Sequence, residues 1–90
     1  MKVFIVESVE LYEGYVDTNV KCFNTLEKAL TYKQELIDNA SHFIEDIQRD
    51  IDDGNVDSII TNNERDFWCY DSVNFDEYRI NIFEEDLKND

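Results

Sequence analysis

The sequence predicts an α+β domain: an antiparallel sheet of four to five strands with one long helix, straight or bent, packed on one face. Three observations carry this. Alternating apolar runs occupy both ends of the chain, one apolar stripe of helical period fills the middle, and Glu13-Gly14 marks a tight turn between the first two runs. Ninety residues make one domain, spanning 1–90. There is no proline and there are two glycines, so no flexible linker divides it.

Residues 2–12 read as a strand. Val3, Ile5, Val9 and Leu11 share one face at a period of two, interrupted by Glu7, while Phe4, Val6 and Tyr12 lie on the other. The turn at Glu13-Gly14 predicts a hairpin to 15–23, where Val16, Val20 and Cys22 alternate with Asp17, Asn19 and Lys21. Asn24 is the expected N-cap of the helix, with Glu27 three residues on. Leu26, Ala29, Leu30, Leu36, Ile37, Ala40, Phe43, Ile44, Ile47 and Ile51 fall in one stripe, and Gly54 supplies the C-terminal cap. A single helix over 25–53 would be about 43 Å long, against roughly 17–20 Å for a usual strand. The helix is therefore expected either to overhang the sheet or to bend or break near Asn39-Ala40-Ser41, with one helix, straight or bent, as the favoured reading. Lys33 falls inside the stripe, where its ammonium either reaches past the core to water or pairs with Glu7.

The last third returns to strand. Val56–Ile60 is a short element, Asn62-Asn63 a turn, Phe67–Tyr70 a strand and Tyr78–Phe83 the clearest alternating strand of this half. Residues 85–90 are expected to fray as an acidic tail. Phe67, Trp68, Tyr70 and Phe75 read as large side chains completing a small core. Their neighbours Asp66 and Asp71 argue against direct nucleic-acid binding, which needs basic residues among the aromatics.

Several function classes are disfavoured. No Gly-rich phosphate loop, Gly-x-Ser-x-Gly or paired Cys/His spacing occurs, so no enzyme and no catalytic residue is expected. Cys22 and Cys69 read as free, buried small side chains; His42 lies on a polar helix face; no CxxC or HxxxH spacing suggests a metal. An EF-hand with Gly54 at its sixth position would put Arg49, Ile51 and Ile60 at ligand positions, which fails. No cofactor is expected. The opening apolar run Val3–Val6 stops at Glu7, too short for a signal-peptide core, and no apolar run approaches a bilayer's thickness. A cytoplasmic protein without a membrane partner is the expectation.

The opening strand Met1-Lys2-Val3-Phe4-Ile5-Val6, the helix start Phe23-Asn24-Thr25-Leu26-Glu27-Lys28-Ala29 and the closing strand Tyr78–Phe83 with its acidic end resemble small bacterial and phage β-β-α-β domain proteins. The resemblance rests on a sheet edge, a cap and an apolar stripe. It implies the fold and no catalytic residue; its phage members imply an anti-defence inhibitor as the type of function.

Charge points the same way. Twenty-two acids against eight bases give a net −14, of which −10 lies after residue 45. On a sphere roughly 30 Å across the charge per unit length approaches that of B-DNA, about one per 1.7 Å. The expected function is thus a non-enzymatic acidic binding protein that mimics nucleic acid and blocks the basic nucleic-acid-binding site of a protein partner. The expected partner-binding residues are Asp50, Asp52, Asp53, Asp57, Glu64, Asp66 and Asp71, extended by Asp38, Glu45 and Asp46 on the helix's outer face. Acids at a helix C-terminus oppose the macrodipole, which singles out the first of these groups. The alternative is a small structural or housekeeping module, acidic only for solubility, with a homodimer interface as one form of it.

Overall fold

The structure is a computed structural model, and residues 1–55 and 57–87 are described. Strands β1 (Lys2–Tyr12) and β2 (Tyr15–Phe23) form the first hairpin. Helices α1 (Leu26–Asn39) and α2 (Ser41–Asp52) follow, then β3 (Ile59–Asn62), β4 (Asp66–Asp71) and β5 (Asp76–Asp86). The five strands make one antiparallel sheet in the order β2-β1-β5-β4-β3. Val56 of the expected Val56–Ile60 element and residues 88–90 of the expected tail lie outside the described residues.

Glu13 (φ 49°) and Gly14 (φ 85°) form a type I′ turn, the twist that two antiparallel strands require. The row of β1 that faces the helices is Phe4, Val6 and Ser8, while Val3, Ile5, Glu7, Val9 and Leu11 are half-buried on the open face. Strand β5 decides this. Its one apolar row is Tyr78, Ile80 and Ile82, and the register sets that row opposite Glu10, Ser8 and Val6. Phe67 and Cys69 of β4, with Ala29 and Ile47 of the helices, complete the buried core.

The single long helix is not formed. The chain breaks at Ala40 (φ −97°, ψ 14°), whose N–H reaches the carbonyls of both Leu36 and Ile37. Asn39 and Ser41 flank the break, and both compete for backbone hydrogen bonds in place of the helix. Two shorter rods stay on the sheet: α1 over β1 and β2, α2 over β3 and β4. The apolar stripe survives the break, with Ala29 and Ile47 buried and the rest packed against the core. The N-cap is Thr25 rather than Asn24: its hydroxyl accepts from the Lys28 N–H at 3.2 Å, and Asn24 accepts instead from Lys28 Nζ.

Other differences follow from the sheet's two faces. Lys33 is buried, but its ammonium donates to Asn62 Oδ1 at 2.8 Å and to the carbonyls of Asn63 and Glu64 at the β3–β4 turn. Glu7 lies on the opposite face and cannot meet it. Cys69 is buried but Cys22 is exposed, and both are free. Of the four aromatics, only Phe67 is buried. Trp68 and Tyr70 stack on the open face, and Phe75 is 74% exposed. β5 continues past Phe83 to Asp86, pairing Glu84 and Glu85 with Phe4 and Val3.

The molecule is elongated, 54 × 24 × 19 Å. Along that axis its net charge amounts to about one per 4 Å, less than half the density of B-DNA. The overall DNA-like density expected from a sphere is therefore not reached.

Candidate acidic binding site

Helix α2 builds the densest carboxylate group. Ile47 points into the core, so steps of 100° put Asp46 and Asp50 on one flank, with Asp53 as C-cap just beyond. That flank faces the β4–β5 turn. A cleft of about 370 Å³ opens between them, lined by Asp46, Arg49, Asp50, Asp71, Asp76, Asn74, Phe43 and Tyr12.

The turn is held by its own acids. Asp71 is buried and accepts from the N–H groups of Val73 (2.9 Å) and Asn74 (3.3 Å) and from Asn74 Nδ2 (3.0 Å). Asp76, also buried, accepts from the Glu13 N–H at 3.2 Å and ties the two turns together. Phe75 between them holds φ 59°. A bulky side chain in that region is strained, yet here it is directed to solvent beside the cleft.

Electrostatics in the cleft are unfavourable. Burial raises the pKa of Asp50 above its usual carboxylate value, and the charge of Asp71, a hydrogen bond with it, and the charges of Asp53 and Asp46 raise it further. Arg49 pairs with Asp46 at 3.5 Å, with both side chains largely exposed, so this pair offsets little. A raised carboxyl pKa in the folded state means that stability is fully present below pH 3.8 and is lost as pH rises through the folded value. Asp50→Asn removes that loss. It is expected to raise the urea midpoint at pH 7, with the gain over the parent closing as pH falls through the folded value and gone below 3.8. An equal or lower midpoint at pH 7 would contradict the crowding.

The ten expected residues are thus divided. Asp46, Asp50, Asp53 and Asp71 come together, although Asp71 spends its oxygens on its own turn. Asp52 and Glu45 lie on the outward side of α2, Asp52 accepting from Gln48 at 3.1 Å. Asp38 is on α1 and accepts from Gln34 at 2.9 Å. Asp57 is exposed in the α2–β3 connection. Glu64 and Asp66 sit at the β3–β4 turn, separated from Asp71 by the length of β4, about 17 Å. Sequence reasoning missed Tyr12, Phe43, Arg49, Asn74 and Asp76. Asp76 stood one residue past the flagged Phe75, but only the pairing of Asp71 with Asp76 places it.

Burial pushes the Cys69 thiol up to about 12, so it stays protonated at neutral pH. Among the described residues no three His, Cys, Asp or Glu side chains are grouped to hold a metal ion, and no described helix is long and apolar enough to cross a membrane. Comparison with known protein families, curated proteins and solved structures finds no match.

Proposed function

We propose that this chain is a non-catalytic acidic protein that binds a basic, nucleic-acid-binding surface on a protein partner, docking with the Asp46–Asp50–Asp53 flank of α2. One observation supports this reading above the others: four carboxylates crowd one cleft of a chain that already carries −14, at a cost in mutual repulsion. A cationic partner supplies the missing counter-charge. Exposed Phe75 and half-exposed Tyr12 beside the acids supply the aromatic anchors that such interfaces use. The mimicry of nucleic acid is local to this flank, since the charge of the whole rod is too dilute. An inhibitor of the phage anti-defence type is the role that fits such a surface.

The test is affinity capture from bacterial lysate at roughly 50 mM and 0.5 M NaCl, which differ about threefold in screening length. The parent chain should capture a basic nucleic-acid-binding protein at low salt only, and duplex DNA should release it. The variant carrying Asp46→Asn, Asp50→Asn and Asp53→Asn should lose that protein. Equal capture by both chains would show that the acids serve solubility alone.

A further inference from the structure

Strand β2 is a long bare edge. Among the described residues the sheet order pairs it with β1 alone, and every residue from Tyr15 to Cys22 is exposed, Val16 at 65% and Val20 at 55%. Edges of this length are usually protected by proline, a bulge or charges of one sign. β2 has no proline, and it pairs with β1 without a bulge from Tyr15 to Phe23. It carries one acid, Asp17, and one base, Lys21, so it is neutral in a chain of net charge −14. A second copy can approach this edge without meeting like charge along the strand.

The hairpin turn settles which backbone groups are free to pair. Tyr12 and Tyr15 flank a two-residue type I′ turn and form a hydrogen-bonded pair. Alternation along the ladder then commits Asp17, Asn19, Lys21 and Phe23 to β1. The N–H and C=O groups of Val16, Thr18, Val20 and Cys22 point away from the sheet.

We propose that the chain self-associates through β2, paired antiparallel with the β2 of a second copy about a twofold axis at Asn19. In that register the outward groups meet one another, Val16 opposite Cys22 and Thr18 opposite Val20, giving about eight backbone hydrogen bonds. The remaining positions match as well. Asp17 faces Lys21 of the second copy, twice by symmetry, and Tyr15 faces Phe23. Any other register removes both ion pairs. Opposed residues share a face, so two five-stranded sheets join into one with both helical layers on the same side. The α2 flank stays free.

Two experiments test this. The first is cross-linking. Asn19→Cys in a Cys22→Ser background places two thiols at a non-hydrogen-bonded pair, with Cα atoms about 4.5 Å apart, inside disulfide range. Mild oxidation should give a covalent dimer. Thr18→Cys in the same background lies diagonally, about 8 Å from its copy, and should stay monomeric on a non-reducing gel. The parent's Cys22 is roughly 20 Å from its copy in this register, so ready oxidation of the parent to a dimer would overturn it. The second experiment is charge exchange, read by sedimentation velocity. Asp17→Lys and Lys21→Asp should each weaken the dimer about tenfold, and the two together should restore it to within about threefold. All these positions are exposed, and far-UV circular dichroism checks folding. A chain that stays monomeric up to roughly 1 mM, or a dimer indifferent to both exchanges, overturns the proposal.

Discussion

Ile80→Ala should destabilise the protein by about 3–4 kcal/mol and lower Tm by roughly 12–32 °C. Ile80 is fully buried on β5, the middle strand, between Ser8 of β1 and Phe67 of β4. Neighbours on both sides and the helices above leave little room for collapse, so most of the void persists. A domain of this size has on the order of 5–13 kcal/mol in total, so a large share of it rests on this one side chain. Ile80→Val should cost only about 1 kcal/mol. Urea titration of the three proteins checks the ladder. A loss below about 1 kcal/mol for the alanine variant would mean that the two layers close over the gap.

Lys33→Met should cost about 2 kcal/mol. The methionine keeps the stem's packing and removes only the ammonium, which holds Asn62 Oδ1 and the carbonyls of Asn63 and Glu64. Desolvation lowers the pKa of Lys33, and the charges of Asp66 and Glu64 partly restore it, so the group is costly to bury and is kept by its acceptors. The three acceptor residues are exposed, so water replaces part of what is lost. The loss should be local: amide exchange should quicken in Ile59–Asn62 and Asp66–Asp71 before the rest of the sheet. Uniform acceleration over all strands would show that Lys33 acts on global stability instead.

Much of the fold is written locally and was legible. The turn at Glu13-Gly14, the alternating rows of β1, β2 and β5 and the apolar stripe each depend on residues close in sequence. What the sequence left open depends on partners far along the chain. Both rows of β1 are apolar enough to face a core, and only the register against Tyr78, Ile80 and Ile82 chooses between them. Once that choice is made, Glu7 falls on the wrong side for Lys33 by parity alone. The helix break was visible as Asn39-Ala40-Ser41, yet what it serves is set by the strand order, since α1 lies over β1 and β2 and α2 over β3 and β4. In the candidate site, the flank of Asp46, Asp50 and Asp53 follows from helical steps. Its meeting with Asp71 and Asp76 required the strand order. The separation of Glu64 and Asp66 from Asp71 was available earlier, because a strand predicted at Phe67–Tyr70 sets its two ends apart.

The position of β5 bears on how the chain is made. It follows every other element in sequence yet fills the centre of the sheet, joining Lys2 to Asp86 and Leu11 to Glu77. Until it leaves the ribosome, the nascent chain holds a hairpin at one end, β3 and β4 at the other, and no strand between them. Its two helices have half a floor. Contacts across so long a loop form slowly, so the fold closes only after synthesis has passed β5. During that wait β1 exposes a second bare edge to the crowded surroundings.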